Sequence, residues 1–136
     1  MADVAVVLRW TGEDLRFEGG GPGGEWIAID GNAETGPTPM QLLLLSLAGC
    51  MAADMVDILG KMRLPLEGLE VRLEGDRAPE PPRRYLRVRL RCVVRGISSE
   101  EEAKVRRALS LSEEKYCSVL HTLRPDLDLE TELVLD

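Results

Sequence analysis

From Val4 to Trp10 the chain alternates, with Val4, Val6, Leu8 and Trp10 on one side and Ala5, Val7 and Arg9 on the other. A period of two marks a strand with one apolar face. Leu15 to Glu18 and Glu25 to Asp30 read as two further strands, and the Gly19-Gly20-Gly21-Pro22-Gly23-Gly24 stretch between them as a hairpin loop. That loop lacks the Gly-Lys-Ser/Thr ending of a phosphate-binding loop, and no helix follows it. At Pro37-Thr38-Pro39 the period changes. Thr38 suits a helix N-cap and Pro39 the first helical position, where no backbone N–H is needed. The helix is expected to run to Arg63 and stop before Pro65. Leucine and alanine occupy nearly every side of its first half, which predicts a helix buried at the centre of the fold. Ser46, Cys50, Asp54, Asp57 and Lys61 recur at helical spacing as its single polar stripe.

Two longer strands follow. Leu69, Val71 and Leu73 alternate with Glu70, Arg72 and Glu74, and Leu86, Val88, Leu90, Cys92 and Val94 alternate with Arg87, Arg89, Arg91 and Arg95. The arginine stripe is expected to be a salt-bridged outer sheet face, with acidic positions of neighbouring strands beside it. Residues 76–82 form the turn. Ser98-Ser99-Glu100-Glu101-Glu102 offers overlapping capping boxes for a helix whose buried stripe is Val105, Ala108 and Leu109. Ser112-Glu113-Glu114 reads as a fresh helix start, placing Cys117 in the second turn, and Pro125 ends that helix. Asp126, Asp128, Glu130 and Glu132 then alternate with Leu127, Leu129, Thr131 and Leu133 in an acidic-faced strand.

Composition narrows the function. With 136 residues the chain is expected to form a single domain spanning residues 1–136, and 44% hydrophobic with 30% charged residues is a globular balance. A net charge of −7 argues against nucleic acid as the main partner. The most apolar run, Leu42 to Ala53, is followed by Asp54 and Asp57 and falls short of the roughly 20 residues that span a bilayer. No membrane association is expected, and the lack of a basic-then-apolar leader points to the cytoplasm. One histidine, His121, leaves no multi-histidine metal site within the chain, and three cysteines without a Cys-x-x-Cys fit neither a disulfide framework nor a zinc site. No metal and no cofactor are expected. Cys92 lies on the apolar face of its strand and reads as a packed thiol.

The other two cysteines lie in motifs. The stretch Thr38-Pro39-Met40-Gln41-Leu42-Leu43-Leu44-Leu45-Ser46-Leu47-Ala48-Gly49-Cys50-Met51-Ala52-Ala53-Asp54-Met55-Val56 resembles the central-helix motif of the OsmC-like family, the osmotically inducible and organic hydroperoxide resistance proteins. Leu111-Ser112-Glu113-Glu114-Lys115-Tyr116-Cys117-Ser118-Val119 is similar to the family's second cysteine motif, and the order of elements fits along the whole chain. Pro39-Met40-Gln41-Leu42 is closest to the YhfA-like branch, which has methionine where the peroxidase members carry a glutamate. The resemblance implies an α+β fold, with antiparallel sheets around a long buried central helix, in an intertwined homodimer. It further implies that Cys50 attacks a hydroperoxide to become a sulfenic acid, that Cys117 resolves it as a disulfide, and that an external thiol or dithiol reduces the disulfide.

At an ordinary pKa of about 8.5 only about 3% of a thiol is thiolate at pH 7, so such chemistry needs a cation beside the sulfur. The resemblance implies an arginine from the N-terminal strands, for which Arg16, just after the Thr11-Gly12 turn, is preferred and Arg9 is the alternative. The expected function is a thiol-dependent peroxidase acting on organic hydroperoxides. The alternative is a non-enzymatic or weakly active member that binds an apolar ligand or a thiol at the dimer-interface pocket.

Overall fold

The structure, a computed structural model, describes residues 2–136. They fall into two units, one ending at Leu43 and the other running Leu44–Asp136. The first holds three strands, β1 (Val7–Trp10), β2 (Arg16–Gly20) and β3 (Ile27–Asp30), in one antiparallel sheet of order β1-β2-β3. Trp10 pairs with Phe17, and Phe17 with Ile29, so one aromatic ties both ladders. Gly12, at φ +94°, makes the β1–β2 turn in the left-handed region that glycine enters without strain. The expected strand start at Val4 is not reached: β1 begins at Val7. Its side chains have little to pack against, and Trp10 remains 62% exposed.

After β3 the chain turns around Asp30. The buried Asp30 carboxylate accepts from the backbone N–H of Asn32 (2.8 Å), Glu34 (3.2 Å) and Thr35 (3.0 Å) and from the Thr35 hydroxyl (3.0 Å). An aspartate that folds the following backbone onto itself needs only a short polar side chain and free N–H groups. Helix α1 (Pro39–Lys61) follows. Thr38 caps it as expected, its hydroxyl accepting from Gln41 N at 3.1 Å, while Gln41 Oε1 accepts from Thr38 N at 2.9 Å. This reciprocal pair satisfies two otherwise orphan donors.

In the second unit, β4 (Gly68–Arg77), β5 (Tyr85–Arg95) and β6 (Asp128–Leu135) form a sheet of order β4-β5-β6. β4 and β5 are antiparallel, but β6 runs parallel to β5, from Arg87 against Asp128 to Val94 against Leu135. The sheet is therefore mixed, a refinement of the all-antiparallel expectation. Its physical basis is the connection, which carries α2 (Glu102–Leu111) and α3 (Ser118–Thr122) and is long enough for the crossover that parallel strands need. Val88, Leu90, Cys92 and Val94 of β5 are buried in one cluster with Leu47, Met51, Met55 and Leu59 of α1 and Val105, Ala108 and Leu109 of α2. The opposite sheet face is the salt-bridged one expected: Arg89 reaches Asp76 at 2.7 Å, Arg87 reaches Asp128 at 3.0 Å and Arg95 reaches Asp136 at 3.0 Å.

Helix α1 ends at Lys61, two residues short of the expected Arg63, which sits at a left-handed φ of +59°, and its burial also departs from expectation. Only the Leu47, Met51, Met55 and Leu59 stripe is buried, and Leu45, Gly49, Ala53, Val56 and Gly60 on another side are exposed. A single chain this size covers one face of its longest helix and leaves the rest. The helix reaches a mean hydropathy of 1.9 over 18 residues, long and apolar enough by length and composition to cross a membrane, a property that core helices of soluble proteins share.

Candidate functional site

Cys50 sits in the middle of α1, half-buried, one turn before Asp54. Cys117 approaches it from a break in the helical region after α2. The chain does not begin a new α-helix at Ser112. It widens into a π-helical turn, Ser112–Tyr116, and then becomes extended at Cys117 (φ −71°, ψ 101°) before α3. The expected cap residue Ser112 is fully buried, and its hydroxyl donates to Asp54 Oδ2 at 2.8 Å. A serine committed to a carboxylate on another helix no longer starts a helix of its own, and the wide turn absorbs the mismatch. Such turns recur at functional sites. Cys117 thus caps α3 instead of lying in a second helical turn: its N–H donates to Ser112 O at 2.8 Å, and its sulfur accepts from Leu120 N at 3.4 Å.

This geometry brings together the two thiols that lie 67 positions apart in sequence. Both are free, and the Cys117 thiol lies near enough to Cys50 to be influenced by it. Burial is the chief influence that pushes the Cys117 thiol up to about 11; Cys50 and the Asp54 carboxylate add to it, and the Leu120 N–H opposes it. Cys92 lies on the inner face of β5, also pushed up to about 11 by burial, and packs as a small apolar residue. Beside the thiols, Asp54, Asp57, Lys61 and Tyr116 help to line a cleft of about 360 Å³ with apolar walls from Ile58, Met62 and Leu111.

Arg16 lies in the N-terminal unit, held by three carboxylates: Glu13 at 3.2 Å, Glu34 at 3.2 Å and Asp30 at 3.8 Å. Its alternative, Arg9, stacks its guanidinium over the Trp26 ring at 4.9 Å. Asp30 and Glu34 were missed in the sequence reading, although Asp30-Gly31-Asn32 carries the signature of a turn closed by an aspartate. Gln41, which stands beside Met40 where the peroxidase members have their glutamate, spends its amide on the α1 cap. His121 Nε2 meets only the Glu113 carbonyl, at 3.1 Å, among the contacts seen for its ring. Among the described residues no group of three or more His, Cys, Asp or Glu side chains could hold a metal ion.

Residues 31–132 match the family model described as OsmC-like protein. The chain belongs to the OsmC-like family. Among curated relatives of this OsmC-like chain, Protein YhfA of Escherichia coli (strain K12) is 40% identical over 113 residues, covering 82% of this chain and 83% of YhfA. Among solved structures, a hypothetical protein from Aquifex aeolicus VF5 is 29% identical with a TM-score of 0.82, covering 100% of this chain and 99% of its own. An organic hydroperoxide resistance protein OsmC from Legionella pneumophila is 16% identical with a TM-score of 0.68 and 98% coverage of each chain, a likeness of fold. The α+β architecture expected from the two cysteine motifs is therefore the OsmC-like one.

Proposed function

We propose that this OsmC-like protein is a thiol-dependent peroxidase for organic hydroperoxides. The Cys50 thiolate attacks the terminal peroxide oxygen; an S–O bond forms, the O–O bond breaks, and the alkoxide leaves and is protonated to the alcohol. Cys50 is now a sulfenic acid. The Cys117 sulfur attacks it, the S–O bond breaks, and hydroxide departs with the Cys117 proton as water, leaving a Cys50–Cys117 disulfide. A dithiol supplies the two electrons that restore both thiols. Arg16 is the cation proposed to hold the Cys50 thiolate and the developing alkoxide. In this reading Asp30 and Glu34 take over the orienting task of the glutamate that Met40 replaces.

One observation carries the proposal: the nearness of the Cys50 and Cys117 thiols, brought together from positions 67 residues apart. The Legionella relative, named as an organic hydroperoxide resistance protein, shares the fold and supports the substrate class. Three free thiols fit a reducing cytoplasm. The exposed stripe on α1 and the exposed Val4, Val6, Leu8 and Trp10 are surfaces that a second copy would cover, so the working unit is proposed to be a homodimer.

The test is consumption of tert-butyl or cumene hydroperoxide in the presence of a dithiol, with peptide mapping of the peroxide-treated protein. Wild type is expected to turn over and to show the Cys50–Cys117 disulfide, Cys50→Ser to be inactive, and Arg16→Ala to lose at least about tenfold in rate. No consumption at micromolar enzyme overturns the reading. Thermal stabilisation by a fatty or aromatic ligand that persists in Cys50→Ser would instead support a binding protein.

A further inference from the structure

Ser112 joins the Cys50 helix to the Cys117 segment. Its hydroxyl is tied to Asp54 on α1 at 2.8 Å, and its carbonyl accepts the Cys117 N–H at 2.8 Å. Asp54 lies one turn after Cys50 on the same helix, so the path Cys50, α1 backbone, Asp54, Ser112, Cys117 closes a ring around the two thiols. Ser112 is fully buried and its hydroxyl–carboxylate bond is charge-assisted, so breaking it strands a polar group away from water. The segment held is the wide π-helical turn, whose hydrogen bonding is less regular than that of α2 before it. Without an external tie, such a turn can rewind and carry Cys117 out of register with Cys50.

We propose that Asp54 and Ser112 are positioning residues, a clamp that holds the π-helical turn so that the Cys117 thiol stays over Cys50 and disulfide closure is fast. The proposal rests on the peroxidase reading for its second step only, in which the Cys117 sulfur displaces hydroxide from the Cys50 sulfenic acid. Neither clamp residue exchanges a bond. Their contribution is the population of chains with the two sulfurs in reach, and a loss of alignment of about an ångström slows such a step by one or two orders of magnitude.

The experiment follows closure in reduced wild type and in Ser112→Ala, Asp54→Ala and Asp54→Asn. Each is treated with tert-butyl hydroperoxide, sulfenic acid is trapped with dimedone, and products are mapped by mass spectrometry. Ser112→Ala and Asp54→Ala are expected to close the disulfide about tenfold more slowly and to accumulate the Cys50 dimedone adduct. Asp54→Asn, whose amide oxygen still accepts from Ser112, should stay within about threefold of wild type. Amide hydrogen exchange at Cys117 should speed up in Ser112→Ala and provides a reading that needs no peroxide. Closure in Ser112→Ala within twofold of wild type, or unchanged exchange at Cys117, overturns the clamp. Diamide, which takes one hydrogen from each thiol and becomes the hydrazine, separates this proposal from the one it rests on. If wild type closes with diamide but not with hydroperoxide, the peroxidase reading falls, and the clamp is judged on the diamide rates. If wild type closes with neither, the clamp falls as well.

Discussion

At the scale of single residues, three thiols in one small protein have been given different surroundings. Cys92 and Cys117 are buried and pushed up to about 11, whereas Cys50 is half-buried at the edge of the cluster. Iodoacetamide at pH 8 is therefore expected to modify Cys50 first and to leave Cys92 and Cys117 unlabelled until the protein unfolds, as peptide mass spectrometry would show. A raised thiol pKa also bears on stability. Since folding raises both above an unfolded value near 9, stability is full below that value and falls as pH rises toward 11. Asp30 works in the other direction. The Asn32 N–H first, then those of Thr35 and Glu34 and the Thr35 hydroxyl, hold its carboxyl below the usual value of 3.8 despite the burial that opposes them. Its contribution is present above that value and is lost as pH falls through the lower, folded one. Thermal melts of Asp30→Ala against wild type between pH 6 and 3 are expected to show a destabilised variant with a weaker acid-side decline; an unchanged decline would rule Asp30 out as its source.

At the scale of elements, α1 packs one stripe into the core, against β5 and α2. Leu59 is wholly buried on its inner stripe, so Leu59→Ala is expected to cost about 2–5 kcal/mol, read as a lower urea midpoint with an unchanged slope. The start of α1 was legible because its signals are local: Thr38, Pro39 and Gln41 lie within one turn of each other. The strands were legible by face but not by direction, since alternation in Asp128–Leu135 is the same whether it runs with β5 or against it. What could not be read was the break at Cys117. Ser112-Glu113-Glu114 is a sound local helix start, but the residue that captures Ser112 is Asp54, 58 positions upstream, and only the folded chain supplies it. The meeting of Cys50 with Cys117 was open for the same reason until the family motifs joined them. Even apolarity all round α1 misled about the single chain, because Leu45, Gly49, Ala53, Val56 and Gly60 are no less apolar for being exposed.

At the scale of the whole molecule, that exposed stripe predicts association. Sedimentation at tens of micromolar is expected to give a dimer for wild type and a shift toward monomer for Val56→Glu, with a melting temperature that rises with wild-type concentration. A wild-type monomer under those conditions would remove the homodimer from the proposed function. The parallel pairing of β5 with β6 has a consequence for how the protein is made. β5 acquires β4 at once through a tight connection, but its other edge must wait until the chain from Gly96 to Leu127 has been synthesised before Asp128–Leu135 can fill it. At ribosomal speeds that wait is on the order of seconds. Throughout it Val88, Leu90, Cys92 and Val94 lie along an open edge, the kind of strand that recruits another chain. Of the arginines that alternate with them, Arg87, Arg91 and Arg95 find their acids only when Asp128, Glu132 and Asp136 arrive, so they keep that edge charged while it is unpaired, and the ladder that braces the finished sheet also guards the nascent one.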